Sequence, residues 1–108
     1  MNFKEYQKKA ESTAVYPHLD EHPIVGVMYA ALGLAGEAGE VADEVKKSWR
    51  NKMRITESRR ENLRGEIGDV LWYAAQMCNE LGFDMDEVAK NNLVKLLARK
   101  ESGKLKHE

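Results

Sequence analysis

Apolar and polar positions follow the period of an α-helix along most of the chain, and Pro, Gly and capping residues divide the pattern into four segments. The predicted helices cover residues 3–14, 24–49, 58–81 and about 84–102. Residues 15–23 form a predicted loop, because Pro17 and Pro23 interrupt any helix there. No segment has the period of a strand, so the pattern predicts an all-α fold of four helices.

The helix ends carry their own signals. Three pairs fit a capping box at the start of a helix: Asn2 with Glu5, Ser58 with Glu61, and Asp84 with Glu87. Gly82 is the predicted C-cap of the third helix. That helix has a clean apolar stripe and a predicted core face, made of Leu63, Ile67, Val70, Leu71, Ala74, Cys78 and Leu81. Cys78 is the only cysteine, so we expect a packed thiol and no disulfide.

The second helix is apolar almost all the way round over residues 25–35 (VGVMYAALGLA), whereas a surface helix has a single apolar stripe. Such a segment needs neighbours on several sides, and three other short helices cannot supply them. A chain of 108 residues is one domain, residues 1–108, and is small enough to benefit from burying surface against a copy of itself. We therefore expect a homo-oligomer, with Met28, Leu32 and Ala35 near the contact.

The charge balance argues against a partner that is attracted by the overall charge of the chain. The chain has 17 basic and 18 acidic residues and a net charge of −1, so no net field favours nucleic acid or a membrane. The N-terminus has no apolar signal core, and no run approaches the length of a transmembrane helix. These features favour a cytoplasmic protein.

Two carboxylate pairs stand out, Glu37-x-x-Glu40 in the second helix and Glu66-x-x-Asp69 in the third. Residues three apart share a helix face, so two facing helices can offer four carboxylates to a cation. None of the four has a Lys or Arg three or four residues away, and a half-buried acidic cluster raises its own pKa values unless cations occupy it. The alternative is a solvated acidic face.

Several glycines interrupt these helices near the carboxylates, at Gly33, Gly36, Gly39, Gly65 and Gly68. A helical glycine costs about 1 kcal/mol relative to alanine, so close helix approach or access for a ligand is expected there. An all-oxygen site suits Mg²⁺, Mn²⁺ or Ca²⁺. A di-iron bundle would need Glu-x-x-His pairs, whereas the histidines lie in the loop and the tail, at His18, His22 and His107.

A second polar set lies on the fourth helix. Asn92, Lys95 and Arg99 are spaced i, i+3 and i+7, which places two phosphate-binding side chains on one face. An ordinary solvated basic face is the alternative. Of the basic residues near the end of the second helix, Lys47 is the best candidate to reach a phosphate.

Three segments resemble the MazG-type all-α nucleoside triphosphate pyrophosphohydrolases: LGLAGEAGEVADEVKK, LRGEIGDVLWYAAQMCNELG and NNLVKLLARK. That superfamily also includes dimeric dUTPases and phosphoribosyl-ATP pyrophosphohydrolase, and the resemblance spans residues 6–100. It implies a four-helix subunit in an oligomeric helical bundle, as a dimer or a tetramer. It also implies Mg²⁺-dependent cleavage of nucleoside triphosphates between the α and β phosphates, with Mn²⁺ as a substitute.

The resemblance also implies roles for particular residues. Glu37, Glu40, Glu66 and Asp69 match the metal ligands and catalytic carboxylates of the family. The family's NxxKLxxR pattern is matched by residues 92–99, which supports phosphate binding there. Relatives carry an aromatic residue at the position of Tyr73 that lines the nucleoside pocket. Further candidates for the nucleoside are Gln7, Tyr16, Trp49 and Trp72. A tryptophan that some relatives carry shortly after ExxE is Lys47 here, so their base specificity does not transfer.

Two other interpretations stay open. One is a specialised enzyme that hydrolyses dUTP or a modified nucleotide. The other is a non-catalytic helical module, antitoxin-like or binding nucleic acid through residues 46–60. The module would show no Mg²⁺ dependence and a steep salt dependence of binding.

Overall fold

The computed structural model describes residues 1–16 and 22–106, so the predicted histidine positions His18 and His107 lie outside the described residues. Within these residues the chain forms four α-helices and no strand: α1 Phe3–Ser12, α2 Ile24–Arg50, α3 Glu57–Leu81 and α4 Met85–Glu101. The all-α prediction is confirmed, and α2 and α3 are the two long elements.

Helices α2 and α3 pack side by side in antiparallel directions and form the main contact of the fold. Three contacts follow the pair from one end to the other: Gly26 with Glu80, Gly33 with Tyr73, and Glu44 with Arg59. The connector between the two helices turns tightly, with Lys52 and Met53 both at positive φ (58° and 59°). Residues other than glycine seldom adopt this backbone conformation, so the turn is strained. The pairing places the middle of α2 opposite the middle of α3.

Helix α1 is tied across the end of α3 and the start of α4. The Gln7 side chain donates from Nε2 to the Phe83 carbonyl (2.7 Å), and its Oε1 accepts from the Met85 backbone N–H (2.9 Å). The Phe3 N–H donates to the Asp86 carboxylate at 3.1 Å. The two Gln7 bonds satisfy backbone groups at the turn between α3 and α4, and the Asp86 bond satisfies an N–H at the start of α1.

The caps explain where the helices begin and end. Asn2 accepts from the Glu5 N–H at 2.8 Å, as predicted, and Asp84 caps α4 by accepting from the Asp86 N–H at 2.9 Å. Gly82 adopts φ 73° and ends α3. The Phe83 N–H then bonds back to the Cys78 carbonyl at 2.8 Å, the six-residue closure of a Schellman motif.

The predicted start of α3 is wrong by one residue, and its predicted cap is wrong by two. Thr56, not Ser58, is the N-cap, and its hydroxyl accepts from the Arg59 N–H at 3.2 Å. Thr56 follows the strained connector and has an extended backbone (φ −67°, ψ 163°), which is the usual conformation of an N-cap residue. Because the helix has already begun, Ser58 lies within its first turn.

The core of one chain is small. Its buried members are Ala10, Ala75, Cys78 and Met85, with partly buried neighbours from α1 and α3 around them. Cys78 is a packed thiol, as expected, and burial raises its pKa. Ile67, by contrast, was expected in the core and is 59% exposed. Within residues 1–16 and 22–106, no other helix covers that side of α3.

The apolar half of α2 is also largely uncovered, with Met28 54% and Leu32 71% exposed. By length and hydropathy alone α2 could cross a membrane, with a mean hydropathy of 1.3 over 18 residues, so the expectation that no run approaches that length is wrong. Its uncharged part, residues 24–36, is roughly 20 Å long, however, against about 30 Å for a bilayer core. The acidic second half and the packing on α3 favour a protein-covered helix.

The two kinds of glycine in α2 predict opposite effects on stability. A Cβ at Gly33 would overlap the Tyr73 ring, whereas a Cβ at Gly36 meets nothing within 4 Å. We expect Gly36→Ala to raise the free energy of unfolding by about 1 kcal/mol, because alanine is the better helix former. Gly33→Ala should lower it. Chemical denaturation of both variants without metal tests this, and equal effects would contradict the close α2–α3 contact.

Candidate functional site

Three carboxylates meet where the middles of α2 and α3 lie opposite each other. Glu37 comes from α2, and Glu66 and Asp69 come from successive turns of α3. One oxygen of each lies within 4.8 Å of the others. Glu37 and Glu66 are half-buried and Asp69 is exposed, so the cluster opens to solvent on one side. This spacing allows a single cation to contact all three.

The electrostatics of the cluster are those of a site short of positive charge. The pKa of Glu66 is raised, first by its burial and then by the negative charge and a side-chain hydrogen bond of Glu37. Glu40 and Asp69 raise it further, and no basic group acts in the opposite direction. The neighbouring negative charges thus favour the protonated form of Glu66, and a bound cation would oppose this effect. Hard carboxylate oxygens without nitrogen or sulfur ligands suit Mg²⁺, Mn²⁺ or Ca²⁺.

The fourth predicted carboxylate, Glu40, lies beside this trio rather than within it. Its side chain is exposed, and its charge acts on Glu66. The role of Glu40 as a metal ligand stays a prediction.

The glycines near the site fall into two groups. Gly33 lets the Tyr73 ring approach the α2 backbone, and a Cβ there would occupy the position of the ring. The other four leave open space where a Cβ would be: Gly36, Gly39, Gly65 and Gly68. Each of these four directly precedes one of the four predicted carboxylates in the sequence. Helix approach therefore explains Gly33, and within the chain the other four leave bare helix surface beside the acidic groups.

Aromatic side chains continue from the carboxylates toward the start of α2. Tyr73 is one turn after Asp69, and its pKa is raised by burial, then by its neighbour Tyr29 and by Glu37. Trp72 stands edge-on to Tyr73, with ring centroids 5.0 Å apart. This continuity means that one ligand could contact the carboxylates and the aromatic rings together.

The aromatic rings enclose a pocket. Tyr16 stacks on Tyr29 at 4.6 Å and stands edge-on to Trp72 at 6.3 Å. The Trp72 indole N–H donates to the Thr13 hydroxyl at 2.8 Å, which fixes the ring. The pocket has a volume of about 280 Å³ and is lined by Thr13, Val15, Tyr16, Tyr29, Trp72 and Tyr73. A flat apolar ring fits such an arrangement.

Comparison with known proteins identifies the family. Residues 29–103 match the model of the MazG nucleotide pyrophosphohydrolase domain. The chain belongs to the MazG family. It is also 46% identical over 100 residues to the Gene 37 protein of Mycobacterium phage L5, covering 91% of this chain and 88% of that protein. No solved structure matches this chain. The MazG match contains the three clustered carboxylates and α4. It begins at Tyr29, so the part of the pocket wall that follows α1, made of Thr13, Val15 and Tyr16, lies outside it.

Two residues predicted to bind substrate have other partners in this MazG chain. Both polar groups of the Gln7 side chain bond to backbone at the α3–α4 turn, as described above. The Lys47 ammonium lies 3.0 Å from the Asp43 carboxylate, which Lys46 also contacts at 3.2 Å. These contacts raise the pKa of Lys47 and lower that of Asp43. The substrate roles of Gln7 and Lys47 stay predictions, and each would require an existing contact to be exchanged.

The predicted phosphate face of α4 is exposed in the MazG subunit. Lys95 and Arg99 form no ion pair within residues 1–16 and 22–106. Asn92 lines an apolar groove with Leu34 of α2 and Phe3 of α1. Among the described contacts, none joins these α4 side chains to the carboxylate trio. Their binding of phosphate stays a prediction.

Tyr29 is the residue of this site that sequence reasoning missed. It lies on the same α2 face as Gly33 and Glu37, each one turn apart. The spacing of four residues, followed from Glu37 through Gly33 toward the N-terminus, leads to Tyr29. The signal was weak because Tyr29 stands within the all-round apolar segment, where it looks like a packing residue.

The raised pKa of Glu66 predicts that the metal-free protein loses folding stability as the pH rises. A carboxyl group with a higher pKa in the folded state stabilises the fold below its unfolded pKa, and that contribution is lost as the pH rises through the folded value. Removing Mg²⁺ should therefore leave the wild-type protein less stable at neutral pH than Glu66→Gln. Calorimetric unfolding with excess chelator, between pH 4 and 8, measures the difference.

With Mg²⁺ added at neutral pH, the order should reverse, because only the wild-type cluster keeps all its ligands. Glu61→Gln, an exposed α3 residue paired only with Arg64, is the matched control and should follow the wild type throughout. A wild-type protein that gains no thermal stability from Mg²⁺ would contradict the metal site.

Proposed function

We propose that this MazG protein hydrolyses nucleoside or deoxynucleoside triphosphates to a monophosphate and pyrophosphate, with Mg²⁺ as cofactor, in nucleotide-pool house-cleaning in the cytoplasm. The observation that carries the proposal is the trio Glu37, Glu66 and Asp69 beside an aromatic pocket. A charged metal site and a slot for a flat ring are the two parts that a nucleotide requires. Family membership supports the reaction type.

The chemistry assigns the cluster to the α phosphate. Glu37, Glu66 and Asp69 would hold Mg²⁺, and Mn²⁺ could replace it because both prefer oxygen ligands. When bound there, the ion would supply charge neutralisation at the phosphate and activation of a water for in-line attack on the phosphorus. Glu40, exposed beside the trio, suits a second ion once the triphosphate is bound. The open surface at the four glycines leaves room for phosphate oxygens close to the helices.

The two ends of the substrate, the base and the outer phosphates, would contact other residues. We assign the base to the pocket of Tyr16, Tyr29, Trp72 and Tyr73, where stacking binds any flat ring. The β and γ phosphates would bind Lys95 and Arg99 of α4, which are exposed and free of ion pairs within the described residues. Asn92 belongs to the same set.

We also propose that the working protein is a homo-oligomer, a dimer or a tetramer. The support is the exposed apolar surface of one chain, on α2 at Met28 and Leu32 and on α4 at Leu93, Val94 and Leu97. Monomeric proteins rarely expose this many large apolar side chains on neighbouring faces. The small core points the same way, because one chain buries few large side chains.

The nucleic-acid module is the weaker candidate. Part of the basic stretch 46–60 is neutralised inside the chain, since Lys46 and Lys47 pair with Asp43 and Arg59 pairs with Glu44. A nucleic-acid phosphate backbone would have to compete with these ion pairs.

The first test is the product and its dependence on one ligand. Wild-type protein with Mg²⁺ should release pyrophosphate, not orthophosphate, from common nucleoside triphosphates. Asp69→Asn should reduce turnover roughly a hundredfold or more, because it removes a metal-binding charge with little change in shape. Glu61→Gln is the control. Unchanged turnover of Asp69→Asn at limiting Mg²⁺ would contradict the role of Asp69.

The second test is assembly. Light scattering should give a dimer or larger species at micromolar concentration for the wild type. Leu32→Lys should shift the protein toward monomer, because it places a charge in the proposed contact. Met53→Lys is the matched control, since Met53 is 77% exposed in the connector and lies outside that contact. A folded wild-type monomer at these concentrations would overturn the oligomer.

A further inference from the structure

The α3 face that carries the carboxylates continues past the aromatic pocket to two further polar residues. Glu66, Asp69, Tyr73, Gln76 and Glu80 follow one another at spacings of three and four, so they share one side of the helix. Gln76 lies about 10 Å along the axis from Asp69, at 1.5 Å per residue. That is about the reach of a nucleoside from its α phosphate to the far edge of its base.

Gln76 is the most deeply buried polar side chain of this face and has an unused donor. It is 1% exposed. Its Oε1 accepts from the Asn79 side chain at 3.4 Å, and the same Asn79 amide donates to the Gln7 carbonyl at 3.3 Å. This arrangement fixes which end of the Gln76 amide is the donor. The Nε2 group then has no hydrogen-bond partner. A buried donor without an acceptor is costly to the fold, so a ligand that supplies one is indicated.

Gln76 lines a polar pocket of about 350 Å³, together with Glu11, Ala14, Tyr16, Asn79 and Glu80. Glu80 is held in place there, because the Tyr16 hydroxyl donates to its Oε1 at 2.5 Å and its carboxylate lies over Gly26. Tyr16 also lines the aromatic pocket, so the two pockets are neighbours across one ring. A base stacked in the first would have its edge next to the second.

We propose that Gln76 and Glu80 read the Watson–Crick edge of a guanine base, which makes guanine nucleotides the preferred substrates. The inference rests on the proposed function and names its substrate class. Gln76 offers an N–H donor, and the Glu80 carboxylate offers acceptors. Guanine presents the complementary order, with the O6 acceptor followed by the N1–H and N2–H donors. Adenine and cytosine lack the adjacent pair of N–H groups beside a carbonyl, and uracil has a single N–H between two carbonyls.

The binding test uses monophosphate products, so that it does not depend on turnover. With Mg²⁺ present, dGMP should bind the wild-type protein about tenfold or more tightly than dCMP, because a site built for polar groups rejects a base that leaves them unpaired. Binding of dIMP, which lacks the 2-amino group, should fall between them. Equal affinities for dGMP and dCMP would overturn the assignment.

Two substitutions distinguish a role of Gln76 and Glu80 in base recognition from a role in the stability of the fold. Glu80→Gln should remove the preference for dGMP over dIMP, while Glu61→Gln should keep it. Gln76→Met should weaken dGMP binding about tenfold and leave dCMP binding unchanged. The same Gln76→Met protein should unfold at no lower denaturant concentration than the wild type, because it replaces an unpaired buried donor with an apolar group of similar size.

The remaining outcomes are distinguishable. If both variants keep the wild-type ratio of dGMP to dCMP affinity, Gln76 bonds only to water and the proposal is wrong. If kcat/KM for dGTP exceeds that for dCTP and the excess disappears in Glu80→Gln, the proposal is supported in turnover as well. If no triphosphate is hydrolysed but dGMP is selected, the proposed reaction fails while the guanine site stands.

Discussion

The antiparallel packing of α2 on α3 sets Glu37 against Glu66 and Asp69, although the three carboxylates repel one another. The helices stay together because other contacts along the pair are favourable, with Tyr73 packed on Gly33 at one side and Arg59 bonded to Glu44 at the other. The carboxylates are thus held close together by the rest of the interface, and a divalent cation would relieve their repulsion. Tyr29, Trp72 and Tyr73 lie on the same two helices, and the segment after α1 completes the aromatic pocket.

One chain by itself carries three features that cost stability. One chain buries few large side chains, carries a strained connector at Lys52 and Met53, and leaves the Gln76 donor without a partner. Each of these features lowers the stability of the isolated chain. The apolar side of α2 faces outward, where the proposed second copy would cover it, and Gln76 lines a polar pocket, where a ligand would supply an acceptor. The proposed binding and assembly would then be coupled to folding.

The parts of the proposed nucleotide site follow one another along α3. The carboxylates come first, then the aromatic rings, then the buried amide of Gln76 and the carboxylate of Glu80, and the proposed order of their contacts is phosphate, sugar and base. Helix α1 and Tyr16 close the base end through Thr13 and Glu80. Gln76 and Glu80 lie within the matched domain, whereas Thr13 and Tyr16 precede it.

The sequence by itself determined the four helices, their caps at Asn2, Asp84 and Gly82, and the pairing of Glu66 and Asp69 on one face of α3. These follow from local periodicity and from the side-chain spacing within a helix. It misplaced the cap at Thr56, because the strained turn before it depends on how α3 meets α2. It also placed Ile67 in a core that one chain does not form. Only the tertiary structure brought Tyr29 to Tyr73 and Tyr16 to Glu80, since these contacts join residues far apart in the chain, and no local pattern records which faces of two helices meet.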